Sequence, residues 1–341
     1  MIDGAGMSDV TDELVMARVN DIVEVASATD NMGILLLSYG TPQTVADLVP
    51  YMTSIRHGRV PSEQEVEGLK TRYDLIDQWH NDDIRHMTDT QGAILKDILH
   101  KQYPIYIGYQ HMNPSIEEAV SQMAAQGLTD AVCIITAPFQ STIGSVAYER
   151  RALAAGGACG ITIHMVKDWW HQPGFLVYWT EAIAQLLNQL ETNRDGCSKW
   201  AVVFSGHSLP VNSGTHMYVE HMEQCAAKIG KSLDLLWWEE NTSDNDAVWT
   251  LAWQSAGPVG TWLEPTVEET IDALIQDGYN DIIFVPFGFV SDHVEVLYDN
   301  DYICKKRVQD QGGRYYRVSM PNGHRVFIEA MANAVMERRV Q

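Results

Sequence analysis

Short, continuous apolar runs alternate with amphipathic stretches along almost the whole chain. Gly33-Ile-Leu-Leu-Leu-Ser38 has no polar alternation, which predicts a strand covered on both faces. Similar runs predict strands at 105–109, 131–138, 161–166, 201–205, 249–254 and 282–287, with an edge segment at 314–318. Between them apolar residues recur at helical spacing. Leu48, Tyr51 and Ile55 share one face, and Ser62 opens a helix whose first turn holds Glu63 and Glu65. The same spacing predicts helices near 88–101, 172–190, 217–229, 267–276 and 325–338. The polar stretch 77–83 predicts a loop, and 231–247 a surface excursion. Regular strand–helix alternation predicts an α/β fold of parallel sheets flanked by helices. The order runs through twice, so the expected halves are 32–155 and 156–320, the second opening with the 161–166 strand. A C-terminal helix in 321–341 is expected to pack back on the first half. Residues 1–31 carry seven acids and one base and read as an acidic N-terminal extension, disordered or helical over 9–25.

At 341 residues the chain exceeds one small core and suits two domains. A net charge of −22 argues against nucleic acid and anionic membrane surfaces as partners. An anionic small molecule remains compatible, because Ile55-Arg-His-Gly-Arg59 is a dense local basic patch. The five cysteines, Cys133, Cys159, Cys197, Cys225 and Cys304, form no C-x-x-C. They suit a reducing, cytoplasmic setting and lack zinc or iron–sulfur spacing. No apolar run approaches the ~20 residues of a membrane span, and the first residues lack the basic-then-apolar order of a secretory signal.

In open parallel sheets ligands sit beyond the carboxyl ends of strands. Tyr39, His207 and the stretch Gly288–Asp301 emerge at such ends. In that stretch a helix capped by Ser291 or Asp292 carries Glu295 and Asp299 four residues apart, on one face. Alone, such a pair is more often a solvated surface than a site. Joined by His207 from a neighbouring strand end, it becomes an imidazole–carboxylate pair able to hold a divalent cation or accept protons. His207 by itself suits a hydrogen-bonded loop residue equally well. Phe204-Ser-Gly-His-Ser-Leu209 misses the nucleophile elbow of serine hydrolases, and no phosphate-binding glycine motif follows a strand. Arg56, His57 and Arg59 either finish a helix or meet an anionic substrate.

Ser38-Tyr-Gly-Thr-Pro42, Ile55-Arg-His-Gly-Arg59, Arg72-Tyr73, Gly206-His-Ser-Leu-Pro210, Trp253-Gln-Ser255 and Gly288-Phe-Val-Ser-Asp-His-Val-Glu-Val-Leu-Tyr-Asp-Asn-Asp301 together resemble the ferrochelatases, in particular the bacterial branch acting on coproporphyrin III. The resemblance covers roughly residues 32–338, in order. It implies two Rossmann-like domains with a porphyrin cleft between them. It implies a cytoplasmic lyase of haem biosynthesis that inserts Fe(II) into coproporphyrin III to give coprohaem. Iron is then a substrate, no organic cofactor or iron–sulfur cluster is expected, and partners would be transient contacts with other haem-pathway enzymes. His207 and Glu295 match the family's facing catalytic and metal-contacting pair. Tyr39 matches the residue near the opposite face of the macrocycle. Arg56, Arg72, Tyr73 and Tyr148 match substrate contacts.

The chain departs from that family in a few places. A Gly-Gly-x-Ser-Pro loop that lies on the porphyrin is replaced by Asp77-Gln-Trp-His-Asn-Asp-Asp83, whose acids are expected to repel substrate carboxylates. A histidine is replaced by Phe139, Gln110-His111 stands for Lys-His, and Ile303 takes the place of an acid one turn beyond Asp299. These changes keep two rivals in play: a non-catalytic porphyrin or haem carrier, and a chelatase for another metal or tetrapyrrole.

Overall fold

The structure is a computed structural model that describes residues 31–340 apart from 142–143, 193–198, 213, 241–245 and 258. Residues 1–30 of the acidic extension and the middle of the 231–247 excursion lie outside the described residues.

Among the described residues nine strands form two parallel sheets. The first contains β1 (Met32–Ser38), β2 (Ile105–Tyr109), β3 (Asp130–Ile135) and β4 (Thr162–Met165), in the order β2-β1-β3-β4. The second contains β5 (Lys199–His207), β6 (Leu236–Trp237), β7 (Ala247–Gln254), β8 (Tyr279–Val285) and β9 (Arg314–Arg317), in the order β6-β7-β5-β8-β9. Every described strand pair is parallel. The central strands β1, β3, β5 and β8 are buried almost throughout. Each is covered on both faces, which is why their sequences read as unbroken apolar runs.

The elements follow the sequence pattern with four differences. The 161–166 run was expected to open the second half, but Asp130 pairs with Thr162 and Cys133 with Met165, so this strand closes the first sheet. An apolar run shows that a strand is buried but not which neighbour covers it. The 231–247 excursion contains β6, held to β7 at Leu236–Val248 and Trp237–Trp249. The 77–83 loop is a turn that runs into a short helix, Asp82–Arg85, because the Asn81 side chain accepts from the Ile84 amide and caps it. The helix bearing Glu295 starts at Val294 after an extended His293. Asp292 does not cap it; its carboxylate accepts from the Asn322 side chain at 2.8 Å and pairs with Arg317 at 3.1 Å.

One contiguous core joins the two sheets, taking Ile34 and Val132 from the first and Val202 and Ile283 from the second. Helix Arg325–Val340 completes it by packing on helices Pro173–Thr192 and Met87–Ile98 and on β3. At the seam sits Phe139, just beyond β3. It stacks on Trp170 at 6.1 Å and meets Phe175, Tyr218 and Phe287 edge-on at 5.3–6.4 Å between centroids. Offset and edge-on geometry add to the burial of each ring. Phe139→Ala is expected to lower unfolding stability by about 3–5 kcal/mol, read as the shift in a urea denaturation midpoint.

Candidate active site

The carboxyl ends of β1, β3, β5 and β8 open on one cavity of about 390 Å³. His207 is the last residue of β5, and Glu295 lies one residue into the helix that begins at Val294. The two segments meet because of two glycines. The Gly288 amide donates to the Ser205 carbonyl at 3.1 Å, and a Cβ on Gly288 would lie 2.8 Å from the Gly206 Cα. Neither backbone could approach the other so closely with side chains in between.

His207 Nε2 lies 3.7 Å from Glu295 Oε1, and both side chains are about a third exposed. The other ring nitrogen, Nδ1, faces the Ser208 carbonyl at 2.5 Å, so Nδ1 is the nitrogen that carries hydrogen and donates. Nε2 is then the nitrogen left to act on a ligand. Nε2 and the Glu295 carboxylate face each other across a gap that a proton or a metal ion can bridge. Among the described residues no third His, Cys, Asp or Glu completes a metal-holding group with them. The pair therefore offers two donors and leaves the remaining coordination positions open.

Behind the pair lies Gln254, the last residue of β7 and 1% exposed. Its Nε2 donates to the Glu295 carbonyl at 2.6 Å, and its Oε1 accepts from Ser205 Oγ at 2.8 Å and Asn300 Nδ2 at 3.1 Å. The β5–β7 register places His207 directly beside it. Tyr218, buried against Trp253 and Phe139, donates its hydroxyl to the His207 carbonyl at 3.2 Å. Asp299 sits next along the ridge, where the chain passes into a π-helical turn over Asp299–Cys304. Such turns are rare and frequent at functional sites. The Ser255 hydroxyl donates to Asp299. Burial, and then the charge of Glu295, push the Asp299 carboxyl above its ordinary pKa.

Tyr39, Tyr73, Tyr148, His207 and Glu295 all line the cavity, whereas Arg56 and Arg72 are not among its lining residues. Arg56 forms a two-bond pair with Glu65 at 2.6 and 2.8 Å. Arg72 lies over the Tyr298 ring, 5.2 Å from its centroid. The expectation that the 77–83 acids repel a ligand is corrected: Asp77 pairs with His80, Asp82 pairs with Arg85, and no residue of 77–83 lines the cavity. The Trp79 ring packs on Tyr73, and its Nε1 donates to Asp74 at 2.6 Å.

Tyr39 is 45% exposed, with His111 packed against its ring at 4.5 Å. Crowding by the surrounding chain, and then the Glu295 charge, hold the Tyr39 phenol above its ordinary pKa. Burial, Arg151 and His57 pull His111 down to about 4. Its Nδ1 shares a hydrogen bond with Ser54 Oγ at 2.9 Å. Sequence reasoning missed Gln254 as a positioning residue and Arg85 as a cation in the cavity wall. A buried amide between strand ends carries no periodic signal, and Arg85 falls between the 77–83 loop and the 88–101 helix, in a stretch with no periodic pattern.

Residues 31–339 match the family model described as Ferrochelatase. The chain belongs to the ferrochelatase family. The coproporphyrin III ferrochelatase of Staphylococcus aureus (strain N315) is 37% identical over 319 residues, covering 90% of this chain and 98% of that protein. The protein of the same description from Staphylococcus epidermidis is 35% identical over 317 residues, with the same coverage. A solved structure, SirB from Bacillus subtilis with Fe3+, has a TM-score of 0.50 at 13% identity, over 90% of this chain and 95% of that one. At that identity it supports the two-sheet fold alone. The protein is thus a ferrochelatase of porphyrin and haem synthesis, built on the expected pair of parallel sheets. No described helix is long and apolar enough to cross a membrane.

Gln254→Leu would orphan Ser205 Oγ, the Asn300 amide and the Glu295 carbonyl. It is expected to cost about 2–4 kcal/mol in denaturant unfolding and to lower iron insertion roughly tenfold to a hundredfold. A second prediction concerns pH. His111 binds protons less readily folded than unfolded, so the unfolded state takes up more protons between pH 6.5 and 4. Folding stability is expected to fall as pH drops through that window and to level off below it. Denaturation midpoints across the window would be less pH-dependent in His111→Gln.

Proposed function

We propose that this chain inserts Fe(II) into coproporphyrin III and releases coprohaem. The observation that carries the reading is the His207–Glu295 pair facing a cavity that Tyr39 also lines. The identity to relatives described as coproporphyrin III ferrochelatases supports the choice of porphyrin.

The reaction replaces two pyrrole N–H protons by one divalent ion, so two protons must leave and the ion must shed water. His207 Nε2, with its tautomer set by the Ser208 carbonyl, takes up the two pyrrole protons in turn, passing the first on to solvent before it accepts the second. Glu295 exchanges for water on the incoming iron and hands it to the nitrogens. Asp299, whose acid form is favoured by burial, and the Ser255 hydroxyl continue the polar ridge along which protons move to solvent. Tyr39 stands at the opposite face of the macrocycle, and Tyr73 and Tyr148 line its rim. Arg56 and Arg72 act as outer anchors that meet carboxylates at the mouth. Iron is the substrate, and the reading takes no organic cofactor and no iron–sulfur cluster.

Anaerobic mixing of the protein with coproporphyrin III and Fe(II) is expected to convert the free-base absorbance to that of the metallated ring. Glu295→Gln is expected to bind the porphyrin yet insert iron roughly 10²–10⁴-fold more slowly. Undiminished insertion by that variant contradicts the role of the pair. Binding without conversion by the unaltered protein would instead mark a porphyrin carrier, and turnover of sirohydrochlorin a different tetrapyrrole.

A further inference from the structure

Of the described side chains that line the cavity, one is an arginine or lysine, and it is Arg85. It ends the short helix Asp82–Arg85, just after the 77–83 stretch in which the chain departs from its family. The helix is fixed in place by buried Ile84 and by a reciprocal clamp. Gln43 Nε2 donates to the Arg85 carbonyl at 3.1 Å, and Arg85 Nη1 donates to the Gln43 carbonyl at 3.3 Å. Gln43 lies in the loop that follows Tyr39, so Arg85 is tied to the same wall as the tyrosine.

The Arg85 side chain is 20% exposed, and its Nη2 pairs with Asp82, which is 76% exposed. Its Nε is buried and has no hydrogen-bond partner, and the same holds for Gln43 Oε1 beside it. A guanidinium has five N–H donors in a planar fork, and here Nη1 is held by the Gln43 carbonyl, Nη2 by the exposed Asp82, and Nε by no partner. An ion pair with a solvent-exposed carboxylate is weak, so Asp82 is a readily displaced partner. Arg56 is occupied by Glu65 and Arg72 by Tyr298, and neither lines the cavity.

We infer that Arg85 is a specificity-determining residue that binds a carboxylate of the porphyrin inside the cleft, with Asp82 swinging out to solvent as the carboxylate arrives. This rests on the porphyrin reading of the site. A planar fork facing a planar carboxylate gives two parallel charge-assisted hydrogen bonds, and it places a positive charge directly after the acidic 77–83 segment. Arg85 thereby selects tetrapyrroles with free acid side chains.

The test is the affinity of the full chain for coproporphyrin III and for its tetramethyl ester, read by porphyrin fluorescence at fixed salt. Arg85→Gln is expected to weaken binding of the acid roughly tenfold to a hundredfold and to leave binding of the ester unchanged. Arg85→Lys is expected to retain part of the affinity. Asp82→Asn, which removes the competing carboxylate, is expected to tighten binding of the acid roughly two- to fivefold. In turnover, Arg85→Gln is expected to raise the porphyrin KM with little change in kcat. Equal affinity of Arg85→Gln and the unaltered chain for the acid overturns the inference. So does an equal loss for acid and ester, which would mark a packing role, and so does weaker binding by Asp82→Asn. Failure of the unaltered chain to bind coproporphyrin III overturns the porphyrin reading itself, and Arg85's role with it.

Discussion

The site depends on one buried amide. Gln254 joins three pieces of backbone that share no sequence neighbourhood: the end of β5, the end of β7 and the turn after Glu295. Its carbonyl oxygen is shared by Ser205 and Asn300, and its amide nitrogen holds the Glu295 carbonyl. Both ends of the Gln254 amide are paired, and leaving either one unpaired at this depth would be costly, so its geometry admits little latitude. The close contact of Gly206 with Gly288 sets the same distance from the other side. Between them they fix where an imidazole and a carboxylate can stand relative to each other, at 3.7 Å.

Electrostatics then divides the cavity. The chain carries 45 acidic and 23 basic residues, and the lining follows this bias with Asp292 and Glu295 against Arg85. His207 Nε2 and the Glu295 carboxylate face each other on one side of the lining. Among the described lining residues the one guanidinium, that of Arg85, lies in another segment of the wall, beside the loop after Tyr39. Tyr51 and Tyr73, whose phenols share a hydrogen bond, and Phe139 with its ring cluster make much of the remaining wall. A flat, apolar ring with a polar centre and acidic edges fits that division.

Much of this was legible in the sequence. β1, β5 and β8 announce themselves as unbroken apolar runs because helices cover both of their faces. His207, Tyr39 and Glu295 stand out because polar residues directly after such runs lie at the ligand-binding edge of a parallel sheet. What stayed hidden depends on contacts between distant segments. The membership of β4 in the first sheet is decided by which neighbour accepts its backbone hydrogen bonds. The capping of the final site helix failed as a prediction because Arg317 and Asn322, far along the chain, draw Asp292 away. The acids of 77–83 looked repulsive in sequence, yet Asp77 pairs with His80 and Asp82 with Arg85, and none of 77–83 lines the cavity. Phe139, which stands where a polar residue was expected, makes sense only as the ring that joins two sheets.

The central claim is that the His207–Glu295 pair and Tyr39 address opposite faces of one porphyrin ring. A crystal structure of the protein with coproporphyrin III bound tests it most directly. The account predicts the ring in this cavity, with His207 Nε2 and Glu295 turned to one side of the four pyrrole nitrogens and the Tyr39 hydroxyl to the other. A macrocycle bound elsewhere on the protein, or one whose nitrogens lie out of reach of the pair, would contradict it.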